Sequence, residues 1–317
     1  MRRLIVILAA WATLWTCAQV RVGIAWQRSA DNYDRVIHAI TAVGAEPVII
    51  EQLRLPGLEY EDINIANRCL DEHGILLQPW AEQLKRDTWH GSRAEQALAG
   101  VDAVVFLGGG DVCPTLFATP QPWHGIEVET NHDATRDVSE YLTMTYCLDH
   151  DIPLLGLCRG MQLLGVVSGA PLIQDLGVYY DNLGKQNHYV HRSDCDREGN
   201  RHYVAHDVLV TDRGSLLWSI ARTDTIHGAP SWHHQAVGEV NGTPLRVTAI
   251  THDDGVDIIE AIERIDKRFA LGVQYHPETA VRKHLDHESD EHLFMSVQEG
   301  LAYFRALVQA AQARLNP

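Results

Sequence analysis

The feature that constrains the fold most is the run Ile152-Pro153-Leu154-Leu155-Gly156-Leu157, which is apolar on both alternating sets of positions and stops at Cys158-Arg159-Gly160. A strand with no polar face must be buried on both sides, which is the position of an interior strand in a parallel sheet covered by helices. Residues 159–168 then read as the helix that leaves it. Comparable apolar runs stand at 20–26, 47–50 and 101–107. Between the first two, Asp31 is a candidate N-cap for a helix through Val36, Ile37 and Ile40, with Gly44 as its stop. Val138, Leu142 and Tyr146 share one face of a helix expected over 131–150. Later strands are expected at 204–210, 246–251, 257–262 and 269–275, with a closing helix over about 289–314. Residues 179–201 read as a long polar loop. Residues 53–91, broken by Pro56, Gly57, Gly74, Pro79 and Gly91, read as an insertion. Such alternation predicts an α/β fold with a mostly parallel central sheet, whose ligand crevice lies at the carboxyl ends of the strands.

Chemistry follows from what stands at those ends. Gly156-Leu157-Cys158-Arg159-Gly160 places a thiol on a sharp strand-to-helix turn, with glycines where the backbone must pack closely. The first turn of the helix aims free N–H groups at the sulfur, which favours a thiolate and the negative charge that develops during acyl transfer. Gly272-Val273-Gln274-Tyr275-His276-Pro277-Glu278 ends another apolar strand. Its imidazole can act as base and then acid, and its carboxylate can fix the imidazole tautomer. Gly108-Gly109-Gly110-Asp111 follows a third strand. It lacks the spacing and Lys of a phosphate loop and suits an oxyanion hole, with Gly109 and the N–H of Arg159 as the two donors. Cys113, in the loop after Asp111, is the substitute nucleophile to rule out. Asp133, Arg136 and Asp137 read as a solvated helix start with an ion pair.

Taken in order, F-L-G-G-G-D at 106–111, L-G-L-C-R-G-M-Q at 155–162, S-W-H-H-Q-A-V at 231–237 and G-V-Q-Y-H-P-E at 272–278 resemble the gamma-glutamyl-gamma-aminobutyrate hydrolase family, within the class I glutamine amidotransferase-like cysteine hydrolases. The resemblance runs from about Arg21 to near the C-terminus. It implies a flavodoxin-like three-layer sandwich and a triad of Cys158, His276 and Glu278. It also implies cleavage of γ-glutamyl amides through a thioester, releasing glutamate and an amine. Gly108, Gln162, His233, His234 and Gln235 match positions that line the family's γ-glutamyl pocket. No cofactor and no metal is implied. Two other readings remain: a glutaminase subunit that feeds ammonia to a synthase, and an inactive binding protein on the same fold.

Composition decides some partners. The chain has 26 Lys and Arg against 42 Asp and Glu, a formal charge of −16, which repels phosphate backbones and argues against nucleic acid. A small γ-glutamyl substrate is the expected partner, and a homodimer is left open. Met1-Arg2-Arg3, an apolar stretch from Leu4 to Trp15 and Thr16-Cys17-Ala18 form the pattern of a cleaved signal peptide over residues 1–18. Export, to the periplasm or outside the cell, is therefore expected, with no stable membrane insertion afterwards, and with residues 19–317 forming one hydrolase domain. The six cysteines show no C-x-x-C spacing and no disulfide framework, although export would allow one bridge among Cys69, Cys113, Cys147 and Cys195. His188, His191, His202 and His206, around Cys195, lack the spacing of a defined zinc site.

Overall fold

A computed structural model describes residues 19–28, 33–127, 130–188, 190–197 and 201–316. The expected signal peptide and the expected cap at Asp31 lie outside these residues. In chain order the elements are β1 (Arg21–Ile24), α1 (Tyr33–Ala42), β2 (Glu46–Ile49), β3 (Tyr60–Glu61), β4 (Asn64–Ile65), α2 (Gln78–Asp87), α3 (Ala94–Ala97) and β5 (Ala103–Phe106). Next come α4 (Ala134–Asp149), β6 (Leu154–Leu157), α5 (Arg159–Val167), β7 (Leu172–Ile173), α6 (Leu176–Leu183), β8 (Val204–Val210) and α7 (Leu216–Ala221). The chain closes with β9 (Thr225–Ser231), β10 (Ala236–Val237), β11 (Leu245–Asp253), β12 (Val256–Arg264), β13 (Ala270–Val273), α8 (Pro277–Leu285) and α9 (Val297–Leu315).

Nine strands form one sheet in the order β2-β1-β5-β6-β13-β12-β11-β8-β9. The half from β2 to β13 is parallel, and from β13 onward each strand runs antiparallel to its neighbour. Alternate side chains divide between two cores. Val104, Phe106 and Leu154 pack under α4 and α5, whereas Val105, Leu107, Leu155 and Leu157 pack under α1 and α9. This is the three-layer α/β sandwich that the doubly apolar strands demand. Three adjacent strands matter most: β5, β6 and β13 are in register at Phe106, Gly156 and Gly272. Their carboxyl ends therefore emerge side by side.

Several expectations need correction. The run expected as a second buried strand is the sheet's edge, with Ile49 53% exposed. Residues 179–201 are not all loop, because Asp175 accepts from the N–H of Val178 and starts α6. Strand β9 was not expected, since it contains Gly228 and Pro230. As the last strand of the sheet it tolerates a residue without an N–H. The closing helix begins at Val297 rather than near 289, where Ser296 and Glu299 form a capping box. Residues 53–91 are not a loose insertion. Leu53, Leu55, Leu58, Ile65, Leu76 and Leu84 join the core cluster that contains Val138 and Leu142 of α4. The N–H groups of Leu53 and Ile65 donate to Ser139 and Thr135 on that helix.

Covering α4 in this way changes its first turn. Asp133 caps it and pairs with Arg28, but Arg136, Asp137 and Glu140 are buried rather than solvated. Arg159 reaches across from α5 to Asp137 and Glu140, and Arg136 pairs with Glu140 at 2.9 Å. Two cations and two carboxylates thus neutralise one another inside the sandwich, beneath the loop that follows β5. Among the described residues the cysteines are free thiols, so none of the described pairs is bridged. Among the same residues, no helix is long and apolar enough to cross a membrane.

Candidate active site

Cys158 has φ 50° and ψ −106°, a conformation rare for a residue with a side chain. Its N–H donates to Val273 O at 2.8 Å, so the turn is held by the neighbouring strand β13. The glycines around it are required by contact. A Cβ on Gly156 would lie 2.6 Å from Gly160 O, and one on Gly160 would lie 2.4 Å from Phe106 O. Helix α5 can therefore start directly against the sheet only with both glycines in place. Arg159 is its first residue, so its N–H has no helical partner and faces the same end as the thiol.

His276 follows β13 and caps α8, and its backbone N–H donates to Pro230 O at 2.8 Å. Its Nδ1 lies 2.7 Å from Glu278 Oε1. A carboxylate accepts, so Nδ1 carries the proton and Nε2 is left for another partner. A Cβ on Gly108 would lie 2.6 Å from His276 Cε1 and 3.5 Å from Cys158 Cβ, so imidazole and thiol close on the same space. Burial opposes charge on His276, yet Tyr203, Glu278 and Cys158 outweigh it and hold its pKa well above 6.5. Sγ of Cys158 also lies 3.9 Å from Trp232 O.

The loop after β5 completes this corner. The Arg136 guanidinium donates to Leu107 O at 3.0 Å, and a Cβ on Gly109 would lie 2.0 Å from its Nη1. Gly109 thus rests on the buried ion network described above. Cys113 plays no part here: it is fully buried, its N–H donates to Asp137, and burial together with Asp137 pushes its thiol pKa well above 9.0. The substitute nucleophile is ruled out by its surroundings.

A cavity of about 430 Å³ opens over these groups, and every sequence-predicted site residue except Arg159 lines it. The Arg159 side chain points away, into the ion network. Gln162 donates from Nε2 to Gln235 O at 3.0 Å and to Gln274 at 3.3 Å. The two adjacent histidines have different surroundings. His234 bridges Asp111 at 2.8 Å and Asp175 at 3.3 Å. Burial opposes its charge, but these two carboxylates raise its pKa to about 9. His233 is held by Gln235 O at 2.8 Å, and burial lowers its pKa to about 4.

Sequence reading missed Arg35, Asn131, Arg192, Tyr203 and Trp232, which also line the cavity. Arg35 comes from α1 and donates to the Tyr203 hydroxyl at 3.3 Å, while the Tyr203 ring stands edge-on to His276 at 5.2 Å. Trp232 sits inside the S-W-H-H-Q-A-V motif, which was a usable signal. Arg35, Arg192 and Tyr203 carried none. No residue of 53–91 lines the cavity.

Comparison with known proteins gives four results. The family model described as Peptidase C26 matches residues 87–278. Protein NtpR of Enterococcus hirae is 33% identical over 195 residues, covering 61% of this chain and 72% of that protein. Gamma-glutamyl-gamma-aminobutyrate hydrolase PuuD of Escherichia coli K12 is 29% identical over 188 residues, covering 59% of this chain and 68% of that protein. Among solved structures, the glutaminase domain of Trypanosoma brucei CTPS with bound acivicin aligns over 93% of this chain and 94% of its own. Its TM-score is 0.52 at 16% identity, a likeness of fold.

Proposed function

We propose that this chain, which belongs to the Peptidase C26 family, hydrolyses γ-glutamyl amides through a thioester on Cys158. The observation that carries this reading is the convergence of Cys158, His276 and the Gly108–Gly109 loop in one cavity, with Glu278 fixing the imidazole at 2.7 Å. It agrees with the coarser conclusion that the family makes this a hydrolase of amide bonds.

In the proposed cycle His276 Nε2 takes the Cys158 proton, and the sulfur attacks the γ-carbonyl carbon. The carbonyl oxygen becomes an oxyanion that the N–H groups of Gly109 and Arg159 receive. As the C–N bond breaks, the imidazolium returns its proton to the leaving amine. Water then loses a proton to His276 and attacks the thioester, and collapse releases glutamate and restores the thiol. Glu278 favours the charged imidazole in both halves. Asp111, which lines the same cavity and is held by His234, can meet the α-ammonium of the glutamyl half.

The test is direct. Purified protein is incubated with several γ-glutamyl amides, with an α-glutamyl amide and with glutamine, and free glutamate is measured. Release from the γ-linked amides without any partner protein supports the reading. Equal rates on the α-linked amide would remove the γ-glutamyl specificity, and release from glutamine only when cell extract is added would favour the glutaminase reading.

A further inference from the structure

Behind the wall of the cavity lies a buried cluster that the proposed reaction does not use. His191, His233 and Glu260 each bring one atom able to bind a metal, all within 4.8 Å of one another. Glu260 Oε1 is 3.2 Å from His191 Nδ1 and 3.6 Å from His233 Nε2, and its Oε2 is 3.6 Å from His206 Nε2. Each of these four side chains is more than nine-tenths buried. Neither oxygen of Glu260, neither ring nitrogen of His191 or His206, nor Nε2 of His233 finds a hydrogen-bond partner among the described residues.

A buried carboxylate without hydrogen bonds costs several kcal/mol. The tautomer of His233 sharpens the conflict. Its Nδ1 faces a carbonyl at 2.8 Å, so Nδ1 carries the hydrogen and Nε2 is the nitrogen turned toward the Glu260 carboxylate, 3.6 Å away. A cation between them, proton or metal, would satisfy both atoms. A shared proton would draw the heavy atoms to about 2.7–2.9 Å along a straight N–H···O line. A tetrahedral ion with bonds of about 2.0–2.1 Å separates its ligands by about 3.3–3.4 Å. The separations of 3.2 and 3.6 Å bracket the ion's ligand spacing, the third edge lies within 4.8 Å, and neither pair closes into a hydrogen bond.

We propose that His191, His233 and Glu260 bind one divalent transition-metal ion of the zinc type. His206, on the other oxygen of Glu260, braces the carboxylate, and the fourth position is left to water. Imidazole with carboxylate suits zinc better than magnesium or calcium, which prefer oxygen alone. The Nδ1–H of His233 on Gln235 O is the outer contact that a metal-bound histidine needs. An entry route exists, because His191 and His233 also line a second cavity of about 850 Å³. The ion's role is to fasten the site wall. His191 O already accepts from His233 N at 3.1 Å and from Ser231 Oγ at 2.8 Å, and Glu260 O accepts from Gln274 N at 2.8 Å. Metal would fasten His191, and Arg192 next to it, onto β12, the strand that carries Glu260 and pairs with β13.

The experiment uses the full chain carrying Cys158→Ala, so that a metal held by the active-site thiol is not counted. After dialysis against a chelator, Zn²⁺ is titrated by calorimetry and followed by melting temperature. Zinc-edge X-ray absorption of the loaded protein identifies the ligands. One equivalent should bind, raise the melting temperature and show imidazole and carboxylate ligands without sulfur. Glu260→Gln and His191→Ala should each weaken binding at least tenfold, and His188→Ala should not. Absence of saturable one-to-one binding, a sulfur ligand, or undiminished binding in both cluster variants would overturn the proposal. The absorption spectrum decides the matter even where a variant fails to fold. No outcome depends on turnover, so the metal site and the proposed hydrolysis stand or fall separately.

Discussion

At the scale of single residues, Cys158 and Glu278 are expected to differ in what their loss does. Cys158→Ala should cut turnover at least about a thousandfold while circular dichroism stays unchanged, because the side chain sits at the rim of the sheet. Glu278→Gln should cost less, since the carboxylate orients His276 and does not itself react. The reverse ranking would give Glu278 a direct chemical part. His234 offers a pH test with a definite sign. Its folded pKa of about 9 lies above its unbound value of 6.5, raised against burial by Asp111 and Asp175. The stabilisation is complete below pH 6.5 and disappears as pH rises through about 9, with an upper bound of about 3–4 kcal/mol. The melting-temperature gap between wild type and His234→Gln should therefore narrow from pH 6 to pH 9.5. A gap that stays constant would mean His234 carries no charge in the fold. Sequence alone could not separate His233 from His234, because what distinguishes them, Gln235 O on one side and two carboxylates on the other, is contributed by the fold.

At the scale of elements, the strand-turn-helix at 154–167 was legible because each requirement is local: an apolar strand, a glycine on either side of the turn, and a helix beyond. The first turn of α4 was misread for the opposite reason. Asp137 and Glu140 look like surface residues on a helix considered by itself, and only the packing of 53–91 and α5 over it makes them interior. This burial has a measurable consequence. Arg159 is fully enclosed and depends on Asp137 and Glu140 for its countercharge. Glu140→Ala leaves a buried guanidinium short of a partner and should destabilise the protein by about 3–5 kcal/mol in denaturant unfolding. An effect below about 1 kcal/mol would mean that Arg136 and Arg159 rearrange to reach solvent.

At the scale of the whole molecule, the sheet changes character between its two halves, and the cavity lies where they meet. The parallel half was readable from continuous apolar runs, and it supplies Gly108, Cys158 and Gln162. The antiparallel half and its connections supply Arg192, Tyr203 and Trp232, whose irregular segments give no periodic signal. The segment 53–91, which the sequence reads as an insertion, is core and lines none of the cavity. If the chain hydrolyses γ-glutamyl amides as proposed, selectivity for the amine falls to the wall made by Tyr203 and Trp232, beside His276. On the same reading Gln162, one helical turn from Cys158 and tied to Gln235, would lie on the acyl side. The measurement is kcat/KM for a series of γ-glutamyl amides that differ only in the amine. Gln162→Ala should raise KM by a similar factor for each of them. Tyr203→Ala should reorder the series, with bulky or aromatic amines changing most, because it removes a ring that packs both on Trp232 and on the imidazole. If Tyr203→Ala lowered every rate equally, the ring would serve His276 alone, and the amine would have to be selected elsewhere on the wall.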